Sequence, residues 1–195
     1  MLTVPALADC VPLDHFGLTC VRDLSPDEVL SRLGVTDRAP YPHYTPQEAI
    51  QRLGHGHENP AARVCHSGEW TFLLDVDDHG VLLRTPVLTR LSMGTEAVSI
   101  WKLLDSTTRI AHASNGELMA HYDDWMFEPA KGTDPSRLNR ALAAIGFFRE
   151  ENEESDEWSA PEMALLALER EFGLVLPSEV SRGPLPTVGL RHLRG

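Results

Sequence analysis

The chain has 195 residues, 42% of them hydrophobic, which is enough for one domain with a substantial core but too few for two full domains. Its formal net charge of −12 argues against non-specific binding to nucleic acid or to an anionic membrane, because both require a surplus of Lys and Arg. No apolar run approaches the roughly 18 residues of a membrane span, and the N-terminus lacks the basic flank and apolar stretch of a signal peptide. We therefore expect a cytoplasmic protein with no nucleic-acid or membrane partner, whose charge favours a basic protein partner.

The N-terminal third predicts two short helices of the same design. Ser25 and Glu28 form a capping-box pattern around a proline, and Gly34 occupies the position of a left-handed C-cap. The same pattern returns from Thr45 to Gly54, after a proline-stiffened connection. Residues 15–22 precede both helices and have the β-branched and aromatic content of an edge strand or of the lead-in to a helix.

Cysteine and histidine residues do not form a clear metal motif. The three cysteines, Cys10, Cys20 and Cys65, are an odd number without metal-like spacing, which is typical of reduced thiols. His55 and His57 form a His-x-His pair in the polar loop 54–60, but a metal site needs a placed third ligand. We interpret both as solvated loop histidines and expect no metal or other cofactor, although the sequence leaves metal binding by this pair open.

The middle of the chain predicts the central sheet. Alternating apolar residues from Trp70 to Val76 indicate a strand with one apolar face. Residues 80–84 suggest a short further strand, and a helix of about two turns is predicted to begin at Thr85 and to end at Gly94. Residues 97–104 carry large apolar groups on both faces, which indicates a central strand covered on both sides.

A β-hairpin is the clearest local signal in the sequence. Asn115 and Gly116 separate two β-rich runs at 107–113 and 117–122. Counting outward from this turn places His112 and His121 near one another, and with Trp101 they form a candidate ligand site on the sheet face. The competing interpretation is that they belong to the polar outer face of a half-exposed sheet.

The C-terminal third contains two predicted helices separated by an acidic run. The first begins near residue 134 and carries Leu138, Leu142 and Ile145 on one face, and the second begins with the capping box of Ser159 and Glu162. Between them lie six carboxylates within eight residues: Glu150, Glu151, Glu153, Glu154, Asp156 and Glu157. Because neighbouring like charges oppose compaction, we interpret this run as a solvated linker, and the proline-punctuated tail as mobile unless it docks.

Together these elements predict an α+β fold with an antiparallel sheet of about four to six strands and helices packed mainly on one face. We predict a main domain at 1–149, an acidic linker at 150–158, and a C-terminal helix and tail at 159–195 that pack back on the domain.

Six segments of the chain resemble a known protein family. They are Ser25-Pro-Asp-Glu-Val-Leu-Ser-Arg-Leu-Gly34, Gly68-Glu-Trp70, Leu91-Ser-Met-Gly-Thr95, Asn115-Gly116, Gly132-Thr-Asp-Pro135 with Gly146-Phe147, and Ala167-Leu-Glu-Arg-Glu-Phe-Gly173. In their order they resemble the actinobacterial family DUF6461, from about residue 20 to residue 177. The resemblance implies the fold of that family and a bacterial cytoplasmic origin, and it implies no chemistry.

Two hypotheses for the function follow. Paired carboxylates near Asp75, Asp77 and Asp78 are explained by turn chemistry, and no nucleophile elbow, glycine-rich phosphate loop or CxxC pair is present in the sequence. The first hypothesis is therefore a non-enzymatic binding protein, such as an immunity protein that neutralises a toxin, whose acidic run contacts a basic partner. The alternative is an enzyme or small-ligand-binding protein that uses the sheet face around Trp101, His112 and His121.

Overall fold

The computed structural model describes residues 6–37, 39–54, 59–77, 79–103, 108–123, 128–148 and 159–194. The strands are β1 Phe16–Arg22, β2 His43–Tyr44, β3 Ala61–Ser67, β4 Trp70–Asp75, β5 Glu96–Lys102, β6 Thr108–Ser114, β7 Glu117–Asp123 and β8 Leu185–Gly189. The helices are α1 Pro26–Leu33, α2 Pro46–Leu53, α3 Thr85–Leu91, α4 Ser136–Ala144, α5 Ala160–Phe172 and α6 Ser178–Arg182.

The strands form one antiparallel sheet, which confirms the predicted α+β fold with an antiparallel sheet. It contains eight strands in the order β2-β8-β3-β4-β1-β5-β6-β7, so the predicted number of four to six is wrong. The sequence of β3 has alanine, arginine and serine where a typical strand has large apolar residues, and β8 includes Pro186. These segments become strands through pairing with distant neighbours, which local pattern does not show.

The first strand lies in the interior of the sheet. Leu18 of β1 pairs with Leu74 of β4 on one side and with Ile100 of β5 on the other. The prediction of an edge strand or of a lead-in to a helix is therefore wrong. The sequence of β1 does not indicate a central strand, because Gly17 and Thr19 interrupt its apolar run.

Both faces of the sheet are covered, which corrects the prediction that helices pack mainly on one face. Leu18 and Ile100 belong to a core with α4 and α5, whereas Leu73 and Ala97 belong to a second core with α1 and α3. The predicted one-sided apolar face of β4 is wrong for the same reason, because Leu73 is fully buried. The prediction that β5 is covered on both sides is confirmed.

The N-caps of three helices and the hairpin turn lie where the sequence predicts them. Capping boxes begin α1, α2 and α5, and the hairpin turns at Asn115 and Gly116, whose φ angles are 53° and 83°. Helix α3 begins at Thr85 as predicted. The predicted strand at 80–84 is wrong, because Val81–Leu83 forms a 3₁₀ helix.

The C-terminal residues belong to the same folded unit. Helix α5 is buried on most of its surface, and Glu169 on this helix accepts a hydrogen bond from the backbone N–H of Leu7 at 3.1 Å. Strand β8 lies between β2 and β3, so the tail docks through backbone pairing. The predicted division at 149 and 158 stays a prediction.

None of the helices in the described ranges combines the length and the apolar character needed to cross a bilayer.

Candidate binding cavity

A cavity of about 80 Å³ opens where β1 begins and β4 ends. Its polar lining comes from Cys10, His15, Arg63, Asp75 and Asp77. Its remaining lining comes from Val11, Pro12, Phe16, Gly17, Pro46, Ile50, Leu74 and Val76. Concave, mainly apolar sites with a few convergent polar groups are the usual places for ligands, so this cavity is the candidate functional site.

Asp75 brings a buried carboxylate to the cavity. Its side chain is only 2% exposed, and its Oδ2 lies 3.4 Å from Nδ1 of His79, which is equally buried. His79 is itself held in place, because its Nε2 donates to the carbonyl oxygen of Ala61 at 2.8 Å and its Nδ1 accepts from the N–H of Val81 at 3.2 Å. The imidazole of His79 is thus held in place by the backbone, and Oδ2 of Asp75 lies beside it.

Gly17 provides the space for this carboxylate. A Cβ atom at residue 17 would lie 2.0 Å from Oδ2 of Asp75, far below any van der Waals contact. A glycine inside a strand weakens the sheet and often marks the close approach of another group. The glycine in β1 is therefore explained by the buried aspartate on the neighbouring strand.

A second carboxylate lies nearer the solvent. Asp77, two residues after the end of β4, has a left-handed backbone conformation with φ of 65°. Its side chain is 13% exposed, and its Oδ1 lies 4.0 Å from Nε2 of His15. The cavity is therefore lined by two carboxylates at different depths.

Arg63 contributes a positive charge to the cavity lining. The N–H donors of its guanidinium point into the protein. Its guanidinium donates to the backbone carbonyl of Tyr44 at 3.0 Å and to those of Ser181 and Gly183 at 2.6 Å each. Burial lowers the pKa of Arg63 to about 10, so it remains charged at neutral pH. Its hydrogen bonds join β3 to β2, to α6 and to the residue that follows α6.

The thiol of Cys10 is not activated as a nucleophile. Its Sγ donates to the carbonyl oxygen of Leu176 at 3.1 Å. Burial raises the pKa of Cys10 and outweighs the hydrogen bond with Ser181, which lowers it. The thiolate is the reactive form of cysteine, so this environment works against nucleophilic catalysis at neutral pH.

The outer part of the cavity is apolar and exposed. Ile50 on α2 is 37% exposed and is one of three exposed large hydrophobic residues in the described part of the chain. Pro12 and Pro46 are also exposed and line the same cavity. The mouth therefore combines an apolar rim with carboxylates behind it.

The structure separates the histidines of the sequence-predicted ligand site. His112 pairs with Ala120, and His121 pairs with Ala111, so their side chains lie on opposite faces of the sheet. Trp101 shares a face with His121 and lies beside Arg109, whose guanidinium is 5.4 Å from the indole centroid. The predicted grouping of all three residues is therefore wrong.

A β-bulge is the physical reason for this separation. Ala113 pairs with Leu118 but His112 pairs with Ala120, so β7 holds one additional residue, Met119, between these pairs. Without that residue the alternation would have placed both histidines on one face. One inserted residue reverses the face of every side chain beyond it.

His112 instead belongs to a buried charge network. Its Nε2 lies 2.9 Å from Oε1 of Glu96, and its ring packs 5.1 Å from that of Phe172. Arg137 of α4 also bonds Glu96 and reaches Glu171 of α5 at 2.7 Å. Burial raises the pKa of Glu96, but the hydrogen bonds and charges of His112 and Arg137 together outweigh it, and the pKa of Glu96 lies below its usual value. This network holds α4 and α5 against the sheet.

The remaining predicted site residues lie outside the described ranges. They are the six carboxylates Glu150, Glu151, Glu153, Glu154, Asp156 and Glu157, and the loop histidines His55 and His57. Within the residues that are described, no group of three or more His, Cys, Asp or Glu side chains could hold a metal ion.

Several cavity residues were not identified from the sequence. The sequence explains Asp75 and Asp77 by turn chemistry, and the spacing of His15, Arg63 and Ile50 indicates no site. Gly17, in the middle of an otherwise β-rich segment, was the one local indication that another group approaches this strand.

Comparison with known proteins assigns the family. The model of DUF6461, a family of unknown function, matches residues 12–176. The chain belongs to the DUF6461 family. The match to DUF6461 includes every cavity residue except Cys10 and Val11, and it ends before β8. No curated protein and no solved structure matches the chain.

Proposed function

We propose that this DUF6461 protein is a non-enzymatic cytoplasmic binding protein whose partner is a basic protein. An immunity protein that occupies the basic surface of a toxin is the form of this function that its charge favours. The observation that carries the proposal is the formal net charge of −12 on a chain of 195 residues. Charge complementarity accelerates association with a basic partner and disfavours acidic ones.

The use of arginine in the fold supports this proposal. Arg32 donates to the carbonyl oxygens of Leu91 and Met93, and Arg84 donates to that of Leu193. Arg63 likewise donates to backbone carbonyls, those of Tyr44, Ser181 and Gly183. These positive charges are held against the backbone, so they are poorly placed to contact an acidic partner.

The acidic run at 150–157 carries a large share of the excess negative charge of the chain. Six of the carboxylates lie within residues 150–157, and they account for half of the net charge. A dense block of like charge produces a strong local field, which a basic surface would meet at short range. We therefore assign the principal partner contact to this run.

A charge-matched comparison tests the proposal. In one variant the six acidic residues of 150–157 become Gln or Asn, and in the control variant six dispersed exposed carboxylates are neutralised: Asp9, Asp23, Asp27, Asp37, Glu117 and Glu179. Each variant and the intact protein would be used for affinity capture from the native host at low salt. We expect one basic protein to be retained by the intact protein and by the control, and lost from the first variant.

Two other outcomes would decide against parts of the proposal. Equal loss from both variants would show that net charge alone drives capture, and the run would not be the contact surface. If intact protein captures no basic partner at low salt, the binding-protein proposal fails.

A small-ligand function is the second candidate, and the cavity of about 80 Å³ with two carboxylates favours it. A small molecule that raises the melting temperature of the intact protein, but not of an Asp75→Asn variant, would support it. Absence of any such stabilisation across a library of small amines would remove it.

A further inference from the structure

We propose that the cavity lined by Asp75 and Asp77 receives one Lys or Arg side chain of the basic partner. This inference rests on the proposed function, and it adds a specific anchoring site to a partner interface otherwise described only by charge. The occupant is a cationic side chain of a protein, inserted from the rim formed by Pro12, Pro46 and Ile50.

The two carboxylates supply the attraction for the cationic head group. Asp75 is 2% exposed and Asp77 is 13% exposed, so both lie where water screens charge weakly. Arg63 places one positive charge in the same lining, but its donors point to the backbone carbonyls of Tyr44 and Ser181. The cavity lining therefore contains two carboxylates and one guanidinium group.

The apolar walls supply a complementary surface for the stem of the same side chain. Val11, Phe16, Leu74 and Ile50 line the cavity together with the carboxylates. Lys and Arg carry a charged head on three or four methylene groups, and they bury this stem on apolar surface while the head meets polar groups. A small polar cation would leave these walls unused.

The size of the cavity limits the occupant to a single side chain. A volume of about 80 Å³ has no room for a helix or strand. A buried pocket surrounded by an exposed apolar rim has the layout of an interface hot spot, in which the rim excludes water from the central contact. Gly17 contributes to this layout, since any larger residue would meet Oδ2 of Asp75 at 2.0 Å from its Cβ.

Side-chain analogues test the inference without knowledge of the partner. The probes are Nα-acetyl-lysine methylamide and Nα-acetyl-arginine methylamide, and the neutral control is Nα-acetyl-norleucine methylamide. Binding to the full chain would be measured by NMR titration. We expect at least one cationic probe to bind about tenfold more tightly than norleucine and to shift resonances of Ile50 and Asp77.

Two variants locate the effect. Asp77→Asn should weaken the cationic probe by about fivefold or more, whereas Glu117→Gln removes the same charge at an exposed position away from the cavity and should have no effect. Circular dichroism of both variants checks that they are folded. Equal affinity for norleucine and the cationic probes, or an unchanged affinity in Asp77→Asn, would overturn the inference.

The source of the cationic group is decided by two further measurements. If n-butylamine binds as tightly as the lysine probe and Asp77→Asn still captures the basic partner, the cavity is a small-amine site and the inference is wrong. If no probe binds and Asp77→Asn retains the partner, the inference fails while the proposed function stands. If the intact protein binds no probe and captures no basic partner, both proposals fail.

Discussion

Gly17 and Asp75 occupy mutually dependent positions: a Cβ atom on residue 17 would stand 2.0 Å from Oδ2 of Asp75. The buried carboxylate can exist only because the adjacent strand has no side chain at that point. This pairing connects the architecture of the sheet to the lining of the cavity.

Gly17→Ala is therefore expected to destabilise the protein by about 2 kcal/mol, because overpacking forces Asp75 or the strand to move. Gly189→Ala is the matched control, since residue 189 also lies in a strand and nothing is within 4 Å of its added Cβ. Urea unfolding would measure both. Adding Asp75→Ala to Gly17→Ala should recover part of the loss, and strictly additive effects would contradict the proposed steric coupling.

Arg63→Met should lower the free energy of unfolding by about 3–5 kcal/mol, because it leaves three backbone carbonyls without their donor. Arg63→Lys should recover part of this loss, since an ammonium group reaches fewer acceptors in a fixed geometry. Arg52→Met, at an exposed position on α2, is the control and should change stability by less than about 0.5 kcal/mol. Similar effects for Arg63 and Arg52 would show that the buried guanidinium contributes little.

Glu96 should make stability depend on pH. Its pKa in the folded protein lies below its usual value of 4.5, so the unfolded state binds more protons between the two values and stability rises with pH there. The stabilisation by Glu96 is therefore complete above about pH 4.5 and is lost as pH falls through the folded pKa. Wild type should exceed Glu96→Gln in stability by about 1–3 kcal/mol at pH 7, and the difference should shrink at low pH. Glu117→Gln, at an exposed site, should give a flat difference.

The contribution of the α5 N-cap to the free energy of unfolding should also be measurable by urea unfolding. Ser159→Ala removes the side chain that pairs reciprocally with Glu162, and we expect a loss of about 1 kcal/mol. Ser31→Ala, in the exposed middle of α1, tests the same substitution without a cap and should be neutral or slightly stabilising because alanine is the better helix former. A loss of stability in Ser31→Ala equal to that in Ser159→Ala would contradict the role of the cap.

The three thiols should differ in reactivity. Burial raises the pKa of Cys20 well above its usual value and raises that of Cys65 to about 12, and burial also raises the pKa of Cys10. With a thiol-reactive disulfide reagent at pH 8, we expect slow reaction of Cys10 and protection of the other two. Urea-unfolded protein should release three equivalents of chromophore. Rapid reaction of two or more thiols in the native protein would be inconsistent with this burial.

The sequence determined the parts of the fold that depend on neighbours within about four residues. The capping boxes of Ser25, Thr45 and Ser159 and the turn at Asn115 and Gly116 are each decided by short-range hydrogen bonds and by backbone conformations that particular residues favour. The same local logic placed the start of α3 at Thr85, but α3 ends at Leu91, before the predicted Gly94, and α4 begins at Ser136, two residues after the predicted start.

Tertiary structure alone decided which strands pair and which face each side chain takes. β3 and β8 are strands because distant segments pair with them, and the second core exists because α1 and α3 pack on the face opposite to α4 and α5. The bulge at Met119 moved His112 away from His121, whereas strand pairing brought Gly17 against Asp75. Alternation along a strand has a period of two, so each such decision changes the environment of every following residue, and no local pattern contains that information.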